Sequence, residues 1–194
     1  MKIFVKLLVF FILCEISTFA TSFGQKVSNA ALERLKSDVT YDGKYLKLKY
    51  PNGDVPKNIG VCTDVIIRTY RSLGIDLQKE VHEDMKDNFK LYPKNWGLKR
   101  TDTNIDHRRV PNLQTFFTRK GESLKVTKKQ KNYKAGDIVT WSIEGLPHIG
   151  IVTHKKSWWN KNPLILHNVG KGPQLMDFLF VFPITGHYRY TKKL

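Results

Sequence analysis

The order of the chain predicts an α+β fold in which helices pack on one mainly antiparallel sheet. Two observations carry this. Up to about Gly121 the apolar residues recur at three- and four-residue steps, the period of helices. From Lys134 onward they form short β-branched and aromatic runs separated by Gly, Pro and Asn, the grammar of strands.

Residues 1–20 read as an export signal. Lys2 and Lys6 precede the apolar run Leu7 to Leu13, and Thr18-Phe19-Ala20 offers a cleavage site. The run is short for a membrane span, so membrane contact is expected only if this segment stays attached. Phe11-Ile12-Leu13 ahead of Cys14 lacks the small residues of a lipoprotein site. Residues 21–194, about 170 positions, suit a single domain with one core. The expected location is the periplasm or cell envelope.

Within that domain, Val27, Ala31, Leu35 and Val39 predict a helix over 27–39 on the outside of the fold. Leu46, Leu48 and Tyr50 alternate with Lys47 and Lys49, which predicts a strand over 45–50. A Pro51-Asn52-Gly53-Asp54 turn follows. Val61, Val65, Ile66, Thr69, Tyr70 and Leu73 then share a helix face, with Gly74 behind them where a left-handed stop is expected. A helix over 77–91 rests on Val81, Met85 and Phe89 and ends before Pro93. Residues 95–110 show no period but are rich in polar groups, as binding loops or hydrogen-bonded surface loops are. Asn112 is expected to cap a short helix that turns Leu113, Phe116 and Phe117 inward. Strands are expected over 137–143, 148–153, 164–169 and 178–184, with a last one around Tyr188-Arg189-Tyr190.

The formal net charge is +16. On an exported chain this favours peptidoglycan or another anionic envelope polymer as partner. The lysines are scattered and no nucleic-acid motif accompanies them, so no nucleic-acid partner is expected. His107, His148, His167 and His187 lack the short spacing of a zinc site, so neither metal nor cofactor is expected. No heptad run or repeat calls for an oligomer, and a monomer is expected.

Chemistry concentrates on Cys62. It falls in the first turn of its helix, where unpaired N–H groups and the macrodipole favour a thiolate. A small buried hydrophobe is the plainer reading of a free cysteine. Removal of residues 1–20 leaves Cys62 without a disulfide partner, which argues that it is kept for reactivity. His148 opens one predicted strand and His167 closes another. Either alone could be an ordinary buried histidine. Together they supply a base for the thiol and a group to orient that base, with Asn168 an alternative orienter.

Gly60-Val61-Cys62-Thr63-Asp64, Gly136-Asp137-Ile138-Val139, His148-Ile149-Gly150-Ile151-Val152 and His167 resemble the NlpC-type papain-like cysteine peptidases. The bacterial family called domain of unknown function 1287 is a closer likeness. It is carried by Val61-Cys62-Thr63-Asp64-Val65, by the run from Asp102 to Leu113 through Asp106-His107-Arg108-Arg109, by His167-Asn168-Val169-Gly170 and by Gly186-His187-Tyr188-Arg189-Tyr190. The resemblance implies a papain-like (NlpC-type) domain with the nucleophile at a helix N-terminus. It implies that Cys62 attacks an amide, His148 carries the proton and His167 orients His148, and that Tyr50 corresponds to a tyrosine assisting the oxyanion. Val61 and Thr63 around the cysteine, where those peptidases usually carry Asp and Ser, and the insertion 155–163 between the histidine strands depart from the peptidase pattern.

The expected function is therefore an exported cysteine hydrolase, an amidase or endopeptidase cutting peptidoglycan. Asp54, Asp64, Asp106, His107, Arg108, Arg109 and Asn168 are the expected substrate-binding or supporting residues, arginines being suited to carboxylates. A thiol acyltransferase or lipid hydrolase on the same fold, and a non-catalytic basic binding module, are the alternatives. The intact mass of the protein from its native envelope should lack residues 1–20; a mass that retains them would make the chain membrane-anchored.

Overall fold

The computed structural model describes residues 21–192, so the expected export signal lies outside the described residues. Four α-helices precede and flank a six-stranded antiparallel sheet, which is the α+β class. The helices are α1 (Phe23–Leu32), α2 (Cys62–Arg71), α3 (Leu77–Asp87) and α4 (Val110–Lys120). A parallel pair, β1 (Thr40–Tyr41) and β2 (Ile59–Gly60), sits ahead of α2. The sheet contains β3 (Glu122–Ser123), β4 (Ile138–Ile143), β5 (Leu146–Lys156), β6 (Pro163–Asn168), β7 (Pro173–Met176) and β8 (Ile184–Arg189). Their order across the sheet is β3-β8-β4-β5-β6-β7.

Strand alternation makes two cores. Ile138, Ile149, Ile151, Leu166 and Tyr188 face the helices and meet Val65, Ile66, Tyr70, Leu113 and Phe117. Val139, Trp141, Val152 and Ile165 face away and are covered by Phe178 and Leu179. The region expected to be a strand over 178–184 is thus a folded cover, and β8 starts only at Ile184. The reason is its side chains: Phe178 and Leu179 both turn inward, and the Leu179 carbonyl accepts the Trp141 indole N–H at 3.0 Å. β7, with a proline, a glutamine and no β-branched residue, escaped sequence reading.

Four other expectations are corrected. The first helix stops at Leu32 and tightens into a 3₁₀ turn over Glu33–Lys36, leaving Leu35 exposed. It belongs to the main core rather than the outside, because Val27 and Ala31 are wholly buried there. Residues 45–50 form no strand, because side chains occupy their backbone: Leu48 N–H donates to Asn104 Oδ1 at 2.7 Å and the Lys49 carbonyl accepts from Gln78 Nε2 at 2.9 Å. Asn112 is inside α4 rather than capping it; its Nδ2 donates to the Asp106 carbonyl at 3.0 Å. The helix expected over 77–91 ends as α3 at Asp87, with a 3₁₀ turn over Phe89–Leu91. The expected stop after α2 is present, with Gly74 at φ 79°.

The polar run between α3 and α4 fastens the segment before α2. Tyr45 Oη donates to Asp102 Oδ2 at 3.0 Å, and Asn104 Nδ2 donates to Tyr45 Oη at 2.8 Å. Deeper in, Arg108 Nε and Nη2 each donate to the Asp64 carboxylate at 2.9 Å. Nη1 donates to the Lys44 carbonyl at 3.2 Å and Nη2 reaches that of Asp42 at 3.4 Å. Removing one partner of this buried pair leaves an uncompensated charge. Asp64→Ala should therefore cost about 3–5 kcal/mol in urea unfolding. Asp64→Ala/Arg108→Met should cost clearly less than the sum of the two single changes; additive losses would show that the pair is not coupled.

Candidate active site

Cys62 is the first residue of α2 and the free cysteine among the described residues. Asp64 sets its position by accepting the Val61 N–H at 2.7 Å, which caps the helix start. Asn168 at the end of β6 donates from Nδ2 to the Gly60 carbonyl at 3.3 Å, tying the segment ahead of α2 to the sheet. The sulfur thereby lies against β5 at Ile149, near the N–H groups of Ile149 and, in its own helix, Thr63.

Tyr41 completes the surroundings of the thiol. Parallel pairing sets Tyr41 opposite Gly60, two residues before Cys62, and brings its hydroxyl beside the sulfur. Tyr50, expected in this role, instead packs its ring edge on His82 at 5.1 Å between centroids. Thr40-Tyr41 is a β-branched and aromatic pair, but too short for periodicity to reveal it as a strand.

His148 and His167 come together on neighbouring strands. His148 Nε2 lies 2.9 Å from His167 Nδ1. Gly150 makes this possible: a Cβ there would come within 2.7 Å of Ile165 Cγ2 and 3.1 Å of His167 Cβ. Both rings pack against Phe178, and His148 also against Trp141, on the sheet face away from the helices. Cys62 belongs to the core on the helix face, but its contact with the Ile149 backbone sets it one residue along β5 from His148. No hydrogen bond joins Cys62 to His148 among the described residues. His148 Nδ1 is the ring nitrogen left for a reacting group. If it is to accept a proton, Nε2–H donates to His167 Nδ1 and His167 carries its own proton on Nε2, a buried nitrogen with no partner.

Electrostatics here differ from the thiolate expected of a helix start. Burial pushes the Cys62 thiol up to about 11, against the pull of the Ile149 N–H. Burial also pulls His148 down to about 4 and His167 down to about 3, the latter helped by its histidine neighbour. The site at neutral pH is a neutral thiol beside two neutral imidazoles. Tyr41 is pushed up to about 12, first by burial and then by the adjacent thiol.

The other expected substrate-binding residues are mostly committed elsewhere. Asp64 and Arg108 are buried against each other, so neither presents a free charge. Asp106 is buried and accepts the Asp102 N–H at 2.5 Å, while burial raises its carboxyl to about 6. His107 is buried too, and burial lowers it to about 3. Thr63 Oγ1 donates to the Arg108 carbonyl at 3.1 Å, so the loop does meet the start of α2, as a support beneath it. Asp54 pairs on the surface with Arg68 at 2.9 Å and Arg71 at 3.0 Å. Arg109 lies over the Trp96 ring at 4.1 Å and is half-exposed. Asn168 braces Gly60 and accepts the Gly170 N–H at 3.1 Å, while His167 is the neighbour of His148.

A cysteine-headed helix packed on an antiparallel sheet that brings two histidines together defines the class: an α+β domain with a buried thiol at a helix start beside a histidine pair. The chain belongs to the family described as Domain of unknown function (DUF1287), whose model matches residues 28–190. It is 49% identical over 168 residues to the Uncharacterized protein YijF of Escherichia coli K12, covering 86% of this chain and 82% of that one. Among solved structures it is similar to NlpC1 from Trichomonas vaginalis, at 14% identity and a TM-score of 0.49 over 91% of this chain. It spans about half of that structure, 47%. It is also similar to an N-acetylmuramoyl-L-alanine amidase from Bacteroides uniformis, at 15% identity and a TM-score of 0.49, covering 87% of this chain and 99% of that one.

Iodoacetamide labelling of Cys62 followed against pH should give a midpoint near 11. At pH 8 that is roughly 10²- to 10³-fold slower labelling than a free thiol with a pKa of about 8.5. Tyr41→Phe removes a neighbouring hydroxyl that favours the thiolate and should move the midpoint higher still. A midpoint at or below the free-thiol value would contradict a buried neutral thiol.

Proposed function

We propose that this protein is an exported cysteine hydrolase that cleaves an amide bond in peptidoglycan. The observation that carries the reading is the joint setting of Cys62: a helix N-terminus, a tyrosine hydroxyl at the sulfur, and a hydrogen-bonded histidine pair beginning one residue along the adjoining strand. The likeness of the motifs to NlpC-type peptidases and the charge of +16 point to an anionic cell-wall substrate.

Because the thiol rests neutral, its proton leaves during attack rather than before it. Cys62 Sγ bonds to the amide carbon as its proton passes to His148 Nδ1, while His148 Nε2–H is held by His167 Nδ1. The oxyanion takes the Cys62 backbone N–H and the Tyr41 hydroxyl. Collapse breaks the C–N bond, and the amine leaves with the proton carried by His148. Water then attacks the thioester, giving its proton to His148, and the regenerated thiol departs with that proton.

A second reading, a non-catalytic basic binding module, is favoured by the burial and high thiol pKa of Cys62. Purified sacculi separate the two. Mass analysis should find new amine and carboxyl termini released by the wild-type chain. Cys62→Ala should release none, and His148→Ala should slow release by about 10²- to 10⁴-fold. Sacculus binding that leaves the polymer uncut would favour the binding module.

A further inference from the structure

The loop between β5 and β6 carries two adjacent tryptophans that touch little of the protein. Trp158 is 72% exposed and Trp159 83%. Single exposed apolar residues are ordinary, but paired exposed indoles form a patch that water solvates poorly. The loop holding them is built. Ser157 N–H donates to the Asn162 carbonyl at 2.8 Å and Asn162 N–H to Asn160 Oδ1 at 2.9 Å. Asn160 and Asn162 then donate their side-chain amides to the two oxygens of Asp177, at 2.7 and 3.1 Å. The order required to present the indoles is therefore already in place.

Charge accompanies them. Lys155, Lys156 and Lys161 are exposed on the same hairpin, and from Gly145 to the C terminus Asp177 is the only acidic residue. Its carboxylate is occupied by the two asparagines, so the tip is cationic.

We propose that Trp158 and Trp159, framed by Lys155, Lys156 and Lys161, dock this domain on an anionic phospholipid surface. Indoles favour the membrane–water interface, where the ring meets acyl chains and the N–H meets head groups, and lysines favour the lipid phosphates. The ring geometry selects lipid over a stacked ligand. The two indoles meet edge to face at 76°, with centroids 4.3 Å apart, so they offer no common plane to a sugar chain or to successive bases. A fluid interface requires none. This contact is separate from any made by residues 1–20.

The test uses the full chain with vesicles of phosphatidylcholine, with and without phosphatidylglycerol, whose acyl chains are brominated near the head group. Trp141 is sealed in the core and Trp96 is 41% exposed, so every arm carries Trp96→Phe and quenching then reports chiefly the hairpin indoles. With the hairpin intact, the chain should be quenched on vesicles containing phosphatidylglycerol and much less on the neutral ones. Trp158→Ser/Trp159→Ser should abolish the quenching even where residues 1–20 keep the protein on the vesicle. Lys155→Gln/Lys156→Gln/Lys161→Gln should weaken the quenching-detected partition on the order of a hundredfold, about fivefold per lysine. Absence of quenching, equal quenching by neutral lipid, or fluorescence changes with sacculi alone would overturn the proposal.

Discussion

The carboxylate of Asp64 and the guanidinium of Arg108 meet where three separate stretches of chain converge. Asp64 caps the helix that starts at Cys62, and Arg108 takes hold of the Asp42 and Lys44 carbonyls just after Tyr41. The same residue's carbonyl accepts the Thr63 hydroxyl. Buried in this way, the pair is a positional device more than a source of net stability, since two desolvated ions consume much of what their attraction returns. What it fixes is the distance between a tyrosine and a sulfur that belong to different elements. The motif between Asp102 and Asn112 is thus explained by architecture: most of its polar groups bind the chain itself.

That is also why sequence reading left those residues open between substrate binding and support. Charged and polar groups in a loop without periodicity resemble a binding surface, and only the three-dimensional partners tell a satisfied ion from a free one. Asp64, Asp106, His107 and Arg108 are satisfied or buried. Where local physics dominates, reading succeeded. The face of α2, its glycine stop and the cores of β4, β5 and β6 follow from spacing alone. Tyr41 could not be found that way, because a two-residue parallel pair with a crossover of seventeen residues between leaves no local trace. The stretch from Phe178 to Pro183 misled for the opposite reason: strand-like residues are used to cover a sheet face instead of extending it.

Two rules of electrostatics compete at Cys62. A helix N-terminus favours an anion by a modest amount, whereas exclusion from water disfavours it strongly, and the second wins. The histidines obey the same balance, each held neutral by its apolar packing against Phe178. The result stores no charge at rest. A polar substrate that entered beside Tyr41 would bring its own dipoles and water, and would change the balance at the moment the thiol is needed.

β5 begins at Leu146, passes the thiol at Ile149, and ends at Lys156, just before the paired tryptophans. His148 and Trp158 are ten residues apart, eight of them along β5, which bounds the span at about 33 Å. One rod of backbone therefore works as a stand-off. A domain resting on its hairpin tip would hold the sulfur up to about 30 Å from the surface beneath, a distance set by strand length and insensitive to how the rest of the chain is decorated.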